Sequence, residues 1–309
     1  MRGNELPVQD VSDWNVAADE PGGRDEKVWL RHPGTGENWL YKPVTVKDGH
    51  TQWEDWAEKI ASNAARLLTV PCADIELALR HGRRDSLSRN VRPTSYEMQG
   101  GLVLLAAMVA DYRPGTDNVR GRPGHSLTNI QRALQGALPP PNAALPDFFS
   151  AFDTFVGYLV LDAWLANRDR HDENWSVLLP TPPLGPTEPR RLCGAYDQAG
   201  CLGFNLRDDT RTRLLDTPGG VERWAGKGTA WRFEHDPAKG AVSLVELACE
   251  GLQMVSSRTR AYWADRLVKI TEDDEAQVTA AIPEMSVPSR TFAHELLRIN
   301  RGRLLRALR

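Results

Sequence analysis

An apolar stretch that ends in a run of charge is the feature that most constrains this chain. From Asp147 to Ala166 the sequence reads as one long helix, with Phe148, Phe152, Phe155, Leu159 and Trp164 on or near one face. A helix this apolar must be buried, so the chain has to build a core around it. It stops in the polar octet Asn167-Arg168-Asp169-Arg170-His171-Asp172-Glu173-Asn174. A strand over Trp175 to Leu179, a Pro-rich turn over Pro180 to Pro189 and a strand over Leu192 to Tyr196 follow, with Asp197 at the end of the second strand. Paired antiparallel, these strands bring Asn174 and Asp197 together at one end.

The first third reads as hairpin, helix, hairpin. Glu26 to Arg31 and Asn38 to Val44 are strands around the turn Pro33-Gly34-Thr35-Gly36, with Lys42 near the end of the returning strand. Trp53 to Leu68 has helical spacing at Trp56, Ile60, Ala64 and Leu67/Leu68, and its acids Glu54, Asp55 and Glu58 lie towards the N-terminal end. Ala73 to Leu79 and Leu87 to Val91 are strands around a polar turn. Residues 1–20 are polar and are expected to be mobile or loosely docked. Tyr96 to Gly100 is an extended connector, and a hinge near Ser95–Gln99 divides a β-rich part, residues 21–98, from a helical part, residues 99–309. Ser126 to Ile130 reads as a helix start, Gly203 to Gly228 as a polar loop, and Leu244 to Gln253, Arg258 to Ile270, Asp273 to Ala281 and Ser289 to Leu308 as helices.

Composition narrows the setting. The 309 residues are 41% apolar and 26% charged with a net charge of −3, the balance of an ordinary globular protein. Such a balance does not predict a nucleic-acid footprint or an anionic-membrane surface. No apolar run reaches bilayer length, and the N-terminus lacks a signal-peptide core, so no transmembrane segment and a cytoplasmic location are expected. Cys72, Cys193, Cys201 and Cys249 form no CxxC pair and read as reduced, buried thiols.

Four features occur in an order that carries chemistry: Lys42 on a strand, Glu58 on the next helix, Asp169 with Asn174 five positions on, and Asp197 after a returning strand. Singly, Lys42 reads as a solvated edge charge, Glu58 as a surface helix charge with Glu54 as a competing partner, and Asp169 with Asn174 as turn chemistry. Together they suit phosphoryl transfer from ATP. A lysine neutralises α- and β-phosphates and an acid on the neighbouring helix holds it. Asn174 and Asp197 offer oxygens to Mg²⁺, and Asp169 orients and deprotonates an attacking hydroxyl. Asp172 and Glu173 read as solvated loop acids. Arg170 is a partner for a loop acid or a substrate phosphate, and His171 a loop-shaping residue bonded to backbone carbonyls, with general-base chemistry as its other reading. At the hinge, Glu97 and Met98 are candidate nucleotide contacts.

At these residues the chain resembles the HipA-like kinase family. Asn167 to Asn174 looks like that family's catalytic loop, Ala195 to Phe204 like its metal-binding Asp with the small-residue turn after it, and Trp39-Leu40-Tyr41-Lys42-Pro43 like its nucleotide-lysine strand. The resemblance implies an α+β, two-lobed protein-kinase-like fold, with a small β-rich N-lobe and a larger helical C-lobe. It implies Ser/Thr phosphorylation of a protein substrate, with Asp169 as base, Asn174 and Asp197 on Mg²⁺, Lys42 on the ATP phosphates, and His171 within the catalytic loop. Asp-Arg-His-x-x-Asn also occurs in phosphatidylinositol kinases, which keeps lipid and small-molecule acceptors in play, and a catalytically silent nucleotide-binding scaffold is the third reading. Toxin members carry a further N-terminal subdomain, whereas about 20 residues precede the first strand here. The resemblance therefore extends less readily to an antitoxin-type partner, and no direct nucleic-acid binding is expected. Gly22-Gly23-Arg24 makes a poor glycine-rich nucleotide loop.

Overall fold

The computed structural model describes residues 6–19, 27–114, 119–182, 184 and 187–308; the Gly22-Gly23-Arg24 segment lies outside them. Strands β1 (Val8–Asp10), β2 (Asn15–Asp19), β3 (Val28–Arg31) and β4 (Asn38–Pro43) come first, then the small hairpin β5 (Val46–Lys47) and β6 (His50–Thr51). Helix α1 (Glu54–Leu68), strands β7 (Ile75–Arg80), β8 (Arg83–Arg89) and β9 (Tyr96–Gly100), and helices α2 (Gly101–Met108), α3 (Leu127–Ala133) and α4 (Ala151–Leu165) follow. After strands β10 (Ser176–Pro180) and β11 (Arg191–Leu192) the chain is helical: α5 (Asp208–Asp216), α6 (Gly220–Gly226), α7 (Leu244–Gln253), α8 (Ser257–Lys269), α9 (Glu272–Ala280) and α10 (Val287–Ala307).

The N-terminal strands form one six-stranded sheet in the order β1-β7-β8-β4-β3-β2, antiparallel except for the β1–β7 pair. Within residues 1–20, expected to be mobile or loosely docked, residues 8–10 and 15–19 are paired strands. Val8 to Asp10 pair in register with Leu77 to Leu79, and Asn15 to Asp19 pair with β3, because the sheet's edges offer unpaired backbone groups that a polar strand can use. Val11 and Trp14 between them fill a small core with Leu30, Tyr41, Ala78 and Leu87 on one face of the sheet. Helix α1 packs against β7 and β8. Its N-terminal turn carries Glu54 and Asp55, and it ends at Thr69, a left-handed cap before Val70-Pro71.

Helix α4 is the axis of the helical part. Every residue of it except Asp153 is buried, and α7, α8 and α10 pack around it. Ser150 caps it in a reciprocal box with Asp153, which pins the start one turn after the expected Asp147. Ala166 closes it in the left-handed conformation. The polar stretch Gly203 to Gly228, expected as loop, instead carries α5 and α6. Their support is tertiary: the Ser289 hydroxyl of α10 donates to Asp208 at 2.9 Å, and Arg211 reaches the Gly203 carbonyl at 3.0 Å. Cys193 and Cys201 are buried as expected, whereas Cys72 and Cys249 are half-buried, and all four are free thiols. No helix among the described residues is long and apolar enough to cross a membrane.

Candidate active site

Lys42 lies at the end of β4, opposite Ser86 of β8. Its side chain turns to the α1 side of the sheet, where Nζ donates to Glu58 Oε1 at 2.8 Å and to Asp197 Oδ1 at 3.0 Å. The Ser86 hydroxyl donates to the other Glu58 oxygen at 2.8 Å, so this carboxylate is held at both ends in a buried site. Glu54, the competing partner, bonds the Thr45 amide instead. Burial opposes the charge of Lys42, but Asp197 and Glu58 outweigh it and hold the ammonium above the usual lysine range. That same ammonium, with help from Lys27, holds the Asp197 carboxyl well below the usual carboxylate range.

Asp197 reaches Lys42 by a route the hairpin alone does not provide. β10 and β11 pair only over Val177–Leu192 and Leu178–Arg191. The chain then leaves to bridge the segment after α1: the Ala73 amide donates to the Ala195 carbonyl, and the Ala195 amide to the Pro71 carbonyl, both at 2.8 Å. Two residues later Asp197 adopts a left-handed backbone with φ of 59°. Asp tolerates this region better than most residues, and a side chain held there is aimed by the backbone.

The octet after α4 is organised by an acid set within the apolar helix itself. Asp162 is buried in α4 and pairs with Arg170 through both carboxylate oxygens, Nε to Oδ2 and Nη2 to Oδ1, each at 2.8 Å. Asn167 also donates to Asp162 Oδ1 at 2.7 Å. Arg170 therefore serves a helix acid rather than a loop acid or a phosphate. Its Nη1 goes on to the carbonyls of Asn174 at 2.8 Å and Tyr196 at 3.5 Å, which draws the loop end and the residue before Asp197 to one point. The sequence signal was present: a carboxylate on a wholly buried helix requires a partner.

Asn174 donates from Nδ2 to the Asp169 carbonyl at 2.7 Å, and the Asp169 amide donates to Asn167 Oδ1 at 3.1 Å. The backbone on both sides of Asp169 is thereby fixed, and its side chain is 39% exposed. Gly200 lies against it: a Cβ there would sit 3.1 Å from Asp169 Cβ. His171 is placed differently from the expected carbonyl-bonding role. Its Nδ1 accepts from the Glu173 amide at 3.3 Å and lies 3.6 Å from Asp172 Oδ1. Glu173 is exposed, but Asp172 is buried and accepts from the Tyr112 hydroxyl. Burial works against its charge, yet His171 and Tyr112 hold its carboxyl well below the usual range. It is not a solvated loop acid.

Glu97 and Met98 lie on β9, the connector expected at the hinge, which pairs with β10 through Glu97–Leu179 and Met98–Leu178. β9 is an edge strand, so the backbone groups on its outer side have no strand partner among the described residues. Both residues are exposed, and Cys193 lies 3.8 Å from the Met98 sulfur. One site residue escaped the sequence reading: Arg232, which contacts Asp169 Oδ1 through Nε at 2.8 Å and Nη2 at 2.7 Å. It lies in a stretch without periodicity, where an arginine between Trp231 and Phe233 was the only cue.

No protein-family model matches the chain, and no curated protein matches it. Solved structures do share its fold. The Helicobacter pylori proinflammatory kinase CtkA aligns with 98% of this chain and 96% of its own at a TM-score of 0.72 and 16% identity. A chain of the Shewanella oneidensis MR-1 toxin–antitoxin complex of HipA, HipB and operator DNA aligns with 95% of this chain and 66% of its own, at a TM-score of 0.54 and 14% identity. At these identities the likeness is one of fold: a β-sheet N-terminal part and a helical C-terminal part arranged as in these two structures, which is the fold expected from the sequence.

Proposed function

We propose that the chain is a kinase that transfers the γ-phosphoryl group of ATP to a Ser or Thr hydroxyl of a protein, with Mg²⁺. The observation that carries this reading is Lys42. A strand, a helix and a loop 155 residues away in sequence converge on its ammonium at 2.8 and 3.0 Å. A structural ion pair needs one partner; a lysine set between two carboxylates beside an Asp–Asn loop is an arrangement for polyanionic phosphates.

The donor set fits Mg²⁺, a hard cation that takes oxygen ligands. Asn174 commits its amide nitrogen to Asp169, which leaves Oδ1 as its ligand atom. Asp197 gives Lys42 only Oδ1 and is one-third exposed, which leaves Oδ2. The ion would supply charge neutralisation on the phosphates. Lys42 would neutralise the α- and β-phosphates, with Glu58 holding it upright. The outer edge of β9 at Glu97 and Met98 would take the base. Asp169 would accept the proton of the acceptor hydroxyl as its oxygen bonds to the γ-phosphorus. The bond to the β-phosphate oxygen then breaks, and ADP leaves with the electron pair.

Labelled ATP with Mg²⁺ and a cell extract tests this. Wild type should label protein, whereas Asp169→Ala and Asp197→Ala should lose about 10²–10⁴-fold in rate. Equal labelling by all three would end the kinase reading. Label that partitions into lipid or metabolite fractions would move the acceptor to those classes.

A further inference from the structure

Arg232 is built into the site with more care than a surface ion pair requires. Its side chain is 12% exposed, and its guanidinium lies 4.0 Å from the Trp231 ring centroid, with Arg122 4.9 Å from the same ring. The backbone beneath it is tied down at several points. Ala230 donates to the Val242 carbonyl at 2.8 Å, Phe233 to Ala230 at 2.9 Å, and Glu234 to the His125 carbonyl at 2.9 Å. The Arg232 carbonyl accepts from His125 Nδ1 at 2.7 Å, and His125 Nε2 accepts from the Trp175 indole N–H at 3.2 Å. The indole is a donor only, so His125 is neutral with its proton on Nδ1. Trp175 follows Asn174 directly, so the loop and the arginine share one scaffold.

The contact itself is lopsided. Both Nε and Nη2 of Arg232 reach the same oxygen of Asp169, Oδ1. A fork-to-fork pair, the strongest geometry open to an arginine, would use both oxygens, as Arg170 does with Asp162. Here Oδ2 is left to other partners. A carboxylate that acts as a base needs one lone pair aimed at the proton, and misplacement by a fraction of an ångström is costly. The Asp169 backbone is fixed by Asn167 and Asn174, but nothing in those bonds fixes the rotation of its carboxylate.

We propose that Arg232 is a positioning residue for phosphoryl transfer: it anchors Asp169 Oδ1 and thereby presents Oδ2 to the acceptor hydroxyl. The proposal rests on the phosphotransferase reading above and adds a residue to it. It needs charge and placement rather than a two-oxygen fork, so a lysine should replace it in part.

The test uses the full chain with Mg²⁺, ATP and a mixed Ser/Thr peptide library, with ADP release as the readout. Arg232→Gln should lower kcat by about 10–100-fold with the KM for ATP and the ATP-induced thermal shift unchanged, and Arg232→Lys should fall between it and wild type. Millimolar guanidinium should restore Arg232→Ala several-fold but leave Asp169→Asn inactive. A kcat for Arg232→Gln at or above the wild-type value would overturn the proposal, the higher value marking Arg232 as an inhibitory latch. A loss in Arg232→Gln matched by weaker ATP binding, with no guanidinium rescue of Arg232→Ala, would overturn it too, leaving a structural role only. Equal turnover by wild type and Asp169→Asn would instead remove the phosphotransferase reading itself, and is distinguished by that comparison.

Discussion

Gly200 shows how narrowly the geometry at Asp169 is set. The glycine is exchanged for nothing larger without cost, because a methyl group would press on Asp169 Cβ at 3.1 Å and face Asn167 Oδ1 at 3.6 Å. Both atoms belong to the network that fixes the Asp169 backbone. Under the proposed function, Gly200→Ala should therefore lower turnover by about 10-fold or more while ATP affinity, which that proposal assigns to Lys42 and its partners, holds. Steady-state kinetics that separate kcat from KM check this; a change in KM alone would place Gly200 at the nucleotide rather than at the base. At this scale the sequence was legible for the grouping of Lys42 with Glu58 and Asp197 and of Asp169 with Asn174, whose order along the chain matches the contacts observed. It was not legible for Arg232, whose role depends on a contact 63 residues away.

At the scale of elements, α4 and the loop after it act as a unit through Asp162 and Arg170. Both side chains are buried, so removal of one leaves the other as an uncompensated charge. Asp162→Ala should cost about 3–5 kcal/mol in urea denaturation. The double variant Asp162→Leu/Arg170→Met should recover part of that loss, since a buried ion pair is replaceable by packed apolar groups. It should not recover turnover, because the Arg170 bonds to the Asn174 and Tyr196 carbonyls go with it. Recovery of both would mean that the pair serves stability alone. Helices α5 and α6 teach a related lesson. Short polar helices are marginal by themselves, and these two are held by α10, so no local pattern could have revealed them.

Across the whole molecule, two buried groups far apart in sequence set opposite responses to pH. Burial pushes the Asp85 carboxyl up to about 7, against the Val44 amide that bonds it at 2.9 Å. Its folded form binds a proton more tightly than its unfolded form, so it contributes stability in acid that is lost as pH rises from about 4 to about 7. Burial pushes His125 down to about 4, so its contribution is complete above about 6.5 and is lost as pH falls towards 4. The two slopes oppose each other between pH 4 and 7 and should leave the wild type nearly level there. Asp85→Asn removes one of them. The variant should be more stable than wild type by about 1–3 kcal/mol at pH 8, should match it near pH 4, and should lose stability steadily between, as read from urea midpoints across pH. A variant no more stable than wild type at pH 8 would show that Asp85 ionises without penalty. Below about pH 4 both proteins should lose stability, as Asp172 and Asp197, whose carboxyls are held low, take up protons.

By itself the sequence determined the period and burial of the long elements. Apolar spacing specified α1 and α7 to within a residue, and the predominantly apolar character of α4 required it to be central, since such a surface has no stable place in water. It also determined the order along the chain of the polar groups that the proposed function uses. What only the tertiary structure decided was which polar groups meet. Residues 8–10 and 15–19 became sheet edge because β7 and β3 offered backbone partners. Asp162 became the organiser of the loop after α4 because burial left it no water. Arg232 joined Asp169 because His125 and Trp231 fix the segment that carries it. Hydrogen bonds and ion pairs between distant residues depend on position and exclusion of solvent, and those quantities exist only once the chain has folded.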